Sequence, residues 1–141
     1  MTNLRNPSIL LAAVCSAPIL AQNPLPTLSS TPSVPIASPL GIARFDVSGF
    51  PGRSFALLGD VTSGPLTAFD TELRLGLTPT LMTLASGSLS GVGDANRSFS
   101  VVGMAGLDGL VLYSQAFELD PGAPNGMFRV SNGSSTCFHD T

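Results

Sequence analysis

The chain has 141 residues, of which 43% are hydrophobic and 11% are charged, and its net charge is -3. This length suffices for one domain with its own core, and high hydrophobicity with low charge argues against wholesale disorder. Lysine is absent and all six basic residues are arginine, so the composition offers no basic patch for nucleic-acid binding.

The first residues have the pattern of an export signal. Arg5 is followed by a short apolar run at residues 9–14 and then by small residues up to Ala21. The apolar run is too short to span a bilayer. We therefore expect a signal peptide over residues 1–21, a secreted, cell-surface or periplasmic protein, and no transmembrane span after cleavage. An ordinary apolar N-terminal segment is the less favoured alternative.

Residues 22–39 are rich in proline, serine and threonine. Proline removes backbone donors and favours extended conformations, so this stretch is predicted to be a linker without helix. Val34 and Ile36 could add a short edge strand there.

From Leu40 onward, apolar and polar residues alternate with period two, which predicts a β-domain over residues 40–133. No segment after the signal peptide shows a sustained 3.6-residue stripe. Short strands separated by turn residues at about ten-residue spacing are typical of sandwiches and barrels. We expect an all-β fold, a small antiparallel two-sheet β-sandwich that is jelly-roll or immunoglobulin-like in outline. Its strands are predicted at residues 43–47, 53–59, 71–77, 81–85, 98–103, 109–119 and 127–130.

Two stretches give the clearest side-chain pattern. Leu73, Leu75 and Leu77 alternate with charged residues and are expected to face the core. Residues 109–119 have apolar side chains on both faces, which indicates a central strand. Between them, the Gly/Ser/Asp/Asn-rich residues 86–97 are predicted to form turns.

Residues 109–116, 120–126 and 130–133 together resemble a family of uncharacterised β-rich domains. These domains lie near the C-termini of secreted proteins of environmental bacteria. Residues 47–52 and 93–97 are similar to the first turn and the mid-domain turn of that family. The resemblance implies a compact β-sandwich module on an exported bacterial protein and implies no catalytic activity.

Residues 134–141 look unlike the usual end of that family and are predicted to be a frayed C-terminal tail. Cleavage of the signal peptide would leave Cys137 as the last cysteine, so it is either a half-buried thiol, which we favour, or intermolecularly paired. His139 is the sole histidine. A base on a frayed end lacks fixed geometry, so no catalytic triad is predicted.

A hydrolase that uses surface carboxylates is an alternative function. A retaining glycosidase needs two carboxylates about 5 Å apart. Convergence of Glu118, Asp60 or Asp70 with a second carboxylate in one cleft would favour it. For Glu118 we favour a strand-end residue that points to solvent, because a buried carboxylate would need a partner. The other acidic residues are Asp46, Glu72, Asp94, Asp108, Asp120 and Asp140.

Neither a metal site nor a cofactor is predicted. After cleavage one cysteine and one histidine remain, which cannot complete a tetrahedral zinc site without carboxylates, and residues 94–96 lack the other ligands of a calcium loop. Tyr113 and Gln115 share one face of the predicted central strand, and with Glu118 they are the predicted ligand-binding residues.

The sequence thus predicts an exported, non-enzymatic β-sandwich module with a structural, adhesive or binding role. A cell-surface protein or a polysaccharide is the expected type of partner. A carbohydrate-binding module is a further alternative, although the chain has no tryptophan for sugar stacking.

Overall fold

A computed structural model describes residues 25–140, and this part of the chain is all-β. The predicted signal peptide lies outside the described residues. Apart from one 3-10 segment at Ala105–Leu107, the regular structure between residues 25 and 140 consists of strands. These are β1 (Thr27–Ser30), β2 (Ser33–Pro35), β3 (Ile42–Ser48), β4 (Ser54–Asp60), β5 (Ser63–Ala68), β6 (Thr71–Leu75), β7 (Met82–Ser88), β8 (Asp94–Ser100), β9 (Val111–Leu119), β10 (Phe128–Val130) and β11 (Ser134–His139).

The strands form a small β-sandwich. The first sheet has the order β1-β3-β8, and the second has the order β2-β11-β9-β4-β7, with β10 also paired to β9. The β2–β11 pair is parallel and the other pairs are antiparallel. The strand predicted at residues 109–119 is therefore central, as its two apolar faces indicated.

Period-two alternation places the core between the two sheets. Strands with one face on this core bury every second residue. Removing the apolar surface of each buried residue from water stabilises the fold by about 25 cal/mol per Å². The core includes side chains of β3 in the first sheet and of the neighbouring strands β4 and β9 in the second: Ala43, Phe45 and Val47 on β3, Phe55 and Leu57 on β4, and Leu112 and Ala116 on β9.

The predicted linker contains two strands. β1 and β2 lie within residues 22–39 and place Leu28, Val34 and Ile36 in the core. The prolines do not prevent this, because Pro26 precedes β1, Pro32 separates β1 from β2, and Pro35 is the last residue of the edge strand β2. The linker prediction is wrong for β1 and β2, whereas the short edge strand suggested at Val34 and Ile36 is present at Val34 as β2.

The predicted tail is also wrong for residues 134–139. β11 pairs antiparallel with β9 and parallel with β2, and its Thr136 and Phe138 are buried. Residues 134–139 are fixed in place because β10 pairs with only one end of β9. β11 pairs with the other end of β9.

Two other predictions need correction. Leu73 and Leu75 are buried, but on a separate hairpin, β5–β6, that covers part of the outer face of β9. Leu77 lies outside the strand with a φ of 52° and is only half-buried.

β8 begins at Asp94, inside the predicted turn region, and Phe99 is 37% exposed. β8 is an edge strand with mostly exposed residues, so it lacks the apolar alternation that reveals a strand.

Candidate functional site

A surface groove of about 510 Å³ lies where the β5–β6 hairpin meets the outer face of the second sheet. We call it the Tyr113 groove. Tyr113 lies on β9, between Asp60 of β4 and Ser135 of β11. The groove is lined by Ser63, Gly64, Arg74, Tyr113, Asn132, Gly133, Ser134 and Ser135.

The groove combines an aromatic ring, hydroxyl groups and a cation. Tyr113 is half-buried, and its hydroxyl has no hydrogen-bond partner among residues 25–140. Arg74 is largely exposed and forms an ion pair of 2.8 Å with Glu72. Such a surface can stack against an apolar face of a ligand and exchange hydrogen bonds with its polar groups.

One wall of the groove depends on a glycine. A Cβ atom added to Gly133 would lie 2.6 Å from the Cβ of Arg74, so the arginine stem lies directly over this glycine. The neighbouring Asn132 amide accepts a hydrogen bond from the Leu28 N–H at 3.0 Å and donates one to the Leu28 carbonyl at 2.8 Å. Asn132 therefore ties β1 of the first sheet to the turn before β11.

Gln115, which shares its strand face with Tyr113, is 1% exposed and does not line the groove. Its Oε1 accepts the Arg74 N–H at 2.9 Å, and its Nε2 donates to the Ser131 carbonyl at 2.8 Å. Because both ends of the amide are engaged, Gln115 fixes the hairpin over the sheet. It thereby supports the groove from below.

Glu118 does not point to solvent, so the favoured interpretation from sequence is wrong. It is 1% exposed, and the partner that burial requires is Arg53, whose Nη1 donates to Oε1 at 3.0 Å. The Phe50 N–H donates to Oε2 at 2.8 Å. A Cβ at Gly49 would lie 1.9 Å from Oε2, so only glycine leaves room for this carboxylate.

A second buried carboxylate joins the same arginine. Asp120 Oδ2 lies 3.0 Å from Arg53 Nη1 and accepts a hydrogen bond from Arg129. Burial acts to raise the pKa of Asp120, but the hydrogen bonds from Arg129 and the Gly122 N–H and the charge of Arg53 outweigh it and lower the pKa. We call Arg53, Glu118, Asp120 and Arg129 the Arg53 cluster.

Asp60 is buried in a different way, at the end of β4. Its carboxylate accepts hydrogen bonds from the Thr80 hydroxyl at 2.6 Å, from the Thr78 hydroxyl and N–H at 2.8 Å each, and from the Thr62 N–H at 3.2 Å. Burial acts to raise the pKa of Asp60, and these hydrogen bonds outweigh it and lower the pKa to about 2. The carboxylate holds together the chain segments on either side of the β5–β6 hairpin.

No known protein family, curated protein or solved structure matches this chain. The resemblance to β-rich domains of secreted bacterial proteins therefore stays a prediction. The site has to be judged on its own geometry.

The predicted site residues are not brought together in one groove. Tyr113 lines the groove, Gln115 lies beneath it, and Glu118 belongs to the Arg53 cluster. Glu118 and Asp120 do converge, but on an arginine and at 1% and 2% exposure rather than in an open cleft. Asp70 lies in the exposed hairpin turn between β5 and β6.

The remaining reactive side chains lie on β11. Cys137 is half-buried with a free thiol, and His139 is also half-buried. Among the described residues there is no group of three side chains able to hold a metal ion. Within the same part of the chain, no helix is long and apolar enough to cross a membrane.

The sequence analysis missed the partners that define these sites. Arg74, Ser63 and Ser135 reach the groove from strands far apart in sequence, so no local motif marks them. The pairing of Arg53 with Glu118 spans 65 positions. One usable signal was present, because a lone glutamate inside an apolar central strand needs a partner if it is buried.

Proposed function

We propose that this protein is an exported, non-enzymatic binding module and that the Tyr113 groove binds a polysaccharide segment. The observation that carries the proposal is a half-buried tyrosine with an unpaired hydroxyl, set among serine hydroxyls and an exposed arginine. A sugar ring presents an apolar face for the aromatic ring and hydroxyl groups for the polar rim.

The state of the carboxylates supports a non-enzymatic role. A general acid of a hydrolase works best with a pKa near the working pH. Asp60 and Asp120 have lowered pKa values, and their oxygens are occupied by threonines, backbone N–H groups and arginines. These contacts keep both groups ionised and away from substrate, which favours the binding module over the hydrolase.

Glycan binding by the purified full chain tests the proposal. An array of polysaccharides, followed by affinity electrophoresis with the glycans that score, should identify at least one ligand. Tyr113→Ala should weaken binding at least tenfold because it removes the ring and its hydroxyl. Tyr113→Phe, which keeps the ring, should lose less, and it remains informative if the alanine variant does not fold.

Phe69→Ala is the matched control. Phe69 is 60% exposed on the hairpin turn and does not line the groove. The Phe69→Ala variant should bind glycans as the unmodified chain does. A silent array, or binding that is lost in Phe69→Ala and retained in Tyr113→Ala, would overturn the assignment of the groove.

A further inference from the structure

A second cavity opens between the two sheets at one end of the sandwich. It has a volume of about 200 Å³ and is separate from the Tyr113 groove. Its walls come from both sheets and include Ala43 and Phe45 of β3, Leu84 of β7, Leu112 of β9 and Phe138 of β11. The side chains that line it are all apolar.

Such a cavity does not suit water. A buried water needs two to four polar partners, and the lining residues offer no polar side chain. Engineered cavities of about 150 Å³ with aliphatic and aromatic walls stay dry and bind benzene. Since protein interiors otherwise pack with few voids larger than a water molecule, a cavity of this size is a site for an apolar ligand.

The cavity is accessible from solvent. Met82 of β7 and Phe99 of β8 line it and are 43% and 37% exposed, so both side chains reach from the cavity to the surface. Met82 can shift readily because its unbranched side chain adapts to irregular spaces. Leu107 of the 3-10 segment lines another side and is half-buried.

The charges beside the cavity restrict the ligand. Asp108 directly follows the lining residue Leu107, Asp140 comes two residues after the lining residue Phe138, and Asp108 Oδ1 accepts the backbone N–H of Asp140 at 3.0 Å, so these two exposed acidic residues adjoin the cavity wall along the chain. Their repulsion disfavours an anionic head group here. None of the arginines among residues 25–140 lines the cavity to offset it.

We propose that this cavity binds a free medium-chain alkyl compound with an uncharged head group. Its size, somewhat above that of a benzene-binding cavity, corresponds to an alkyl chain of about six to eight carbons. The site is independent of the proposed glycan groove, and its ligand has the opposite polarity.

Titration of the full chain with octan-1-ol, followed by carbon–proton NMR of methyl groups, tests the proposal. The methyl signals of Ala43, Leu84 and Leu112 should shift and saturate, while that of Ala56 on the outer sheet face should not. Octanoate should bind at least threefold more weakly than octan-1-ol because of its charge.

Ala43→Leu places three additional carbons in the cavity and should weaken octan-1-ol binding at least tenfold. Ala56→Leu is the matched control, since Ala56 lies on the outer face of β4, and it should bind normally. If Ala43→Leu does not fold, Met82→Lys puts a charge at the mouth and should have the same effect. Leu81→Lys, an exposed neighbour outside the lining, is its control.

Absence of saturable shifts in the unmodified chain would overturn the proposal. So would shifts centred on Ala56, or unchanged affinity in a folded Ala43→Leu variant. None of these results bears on the Tyr113 groove, so the two proposals can fail separately.

Discussion

The two buried acidic sites compensate the cost of burying a carboxylate in different ways. The Arg53 cluster neutralises Glu118 and Asp120 with two arginines, whereas Asp60 has no arginine and relies on threonine hydroxyls and backbone N–H groups. A cation compensates a buried carboxylate through its charge. Hydrogen bonds compensate it through several fixed donors. Glu118 should therefore depend on one cationic side chain, Arg53, and Asp60 on the geometry of a loop.

The largest effect is expected from Arg53→Met. It leaves Glu118 buried without its cation, which should lower the free energy of unfolding by about 3 kcal/mol, as for other broken buried pairs. Urea unfolding followed by circular dichroism measures the loss. Adding Glu118→Gln should restore part of the stability, because the unpaired charge is gone.

Arg44→Met is the control for this comparison. Arg44 pairs with Asp46 on the surface, with both side chains well exposed, so its loss should cost much less stability than the loss of Arg53. Equal losses for Arg53→Met and Arg44→Met would show that the buried cluster has no special role in stability.

Asp60→Asn should have the next largest effect, a loss of about 2 kcal/mol in unfolding free energy, typical of a buried donor left unsatisfied. Each oxygen of Asp60 accepts a backbone N–H, from Thr62 and from Thr78. An asparagine NH₂ must therefore face one of these N–H groups in either orientation. Asp70→Asn, in the exposed hairpin turn, is the matched control and should be near neutral in the same urea assay.

The smallest expected effect is a change with pH in the stability difference between the unmodified protein and the Asp60→Asn variant. The pKa of Asp60 in the folded protein is lowered from 3.8 to about 2, so the unfolded chain takes up a proton first as the pH falls. The stabilisation is complete above pH 4 and is lost as the pH falls through 2. The gap between unmodified and Asp60→Asn protein should therefore narrow over this range in urea unfolding. A gap that stays constant would contradict the assigned role of Asp60.

The sequence predicted the strands that bury one face and expose the other. Residues 43–47 and 53–59 were predicted to be strands from their period-two alternation, and Phe45 and Leu57 within them are buried. β8 was found only in part, because an exposed edge strand carries no apolar pattern. β11 was missed because its fixed position comes from the open edge of β9, which is a property of the assembled sheet and not of residues 134–139.

The site was less predictable than the fold for a related reason. Tyr113 lines a groove and its ligand-binding role stays a prediction, whereas Gln115 and Glu118 lie under the surface. A strand pattern gives the face of a residue without saying what covers that face. The β5–β6 hairpin covers Gln115, and the loop at Gly49 and Phe50 covers Glu118.

The parallel pairing of β2 with β11 has a consequence for the order of events during synthesis. Val34 emerges from the ribosome about a hundred residues before its register partner Phe138. The second sheet cannot be completed until that late segment has been translated. The native state therefore forms only after residue 139 has been added.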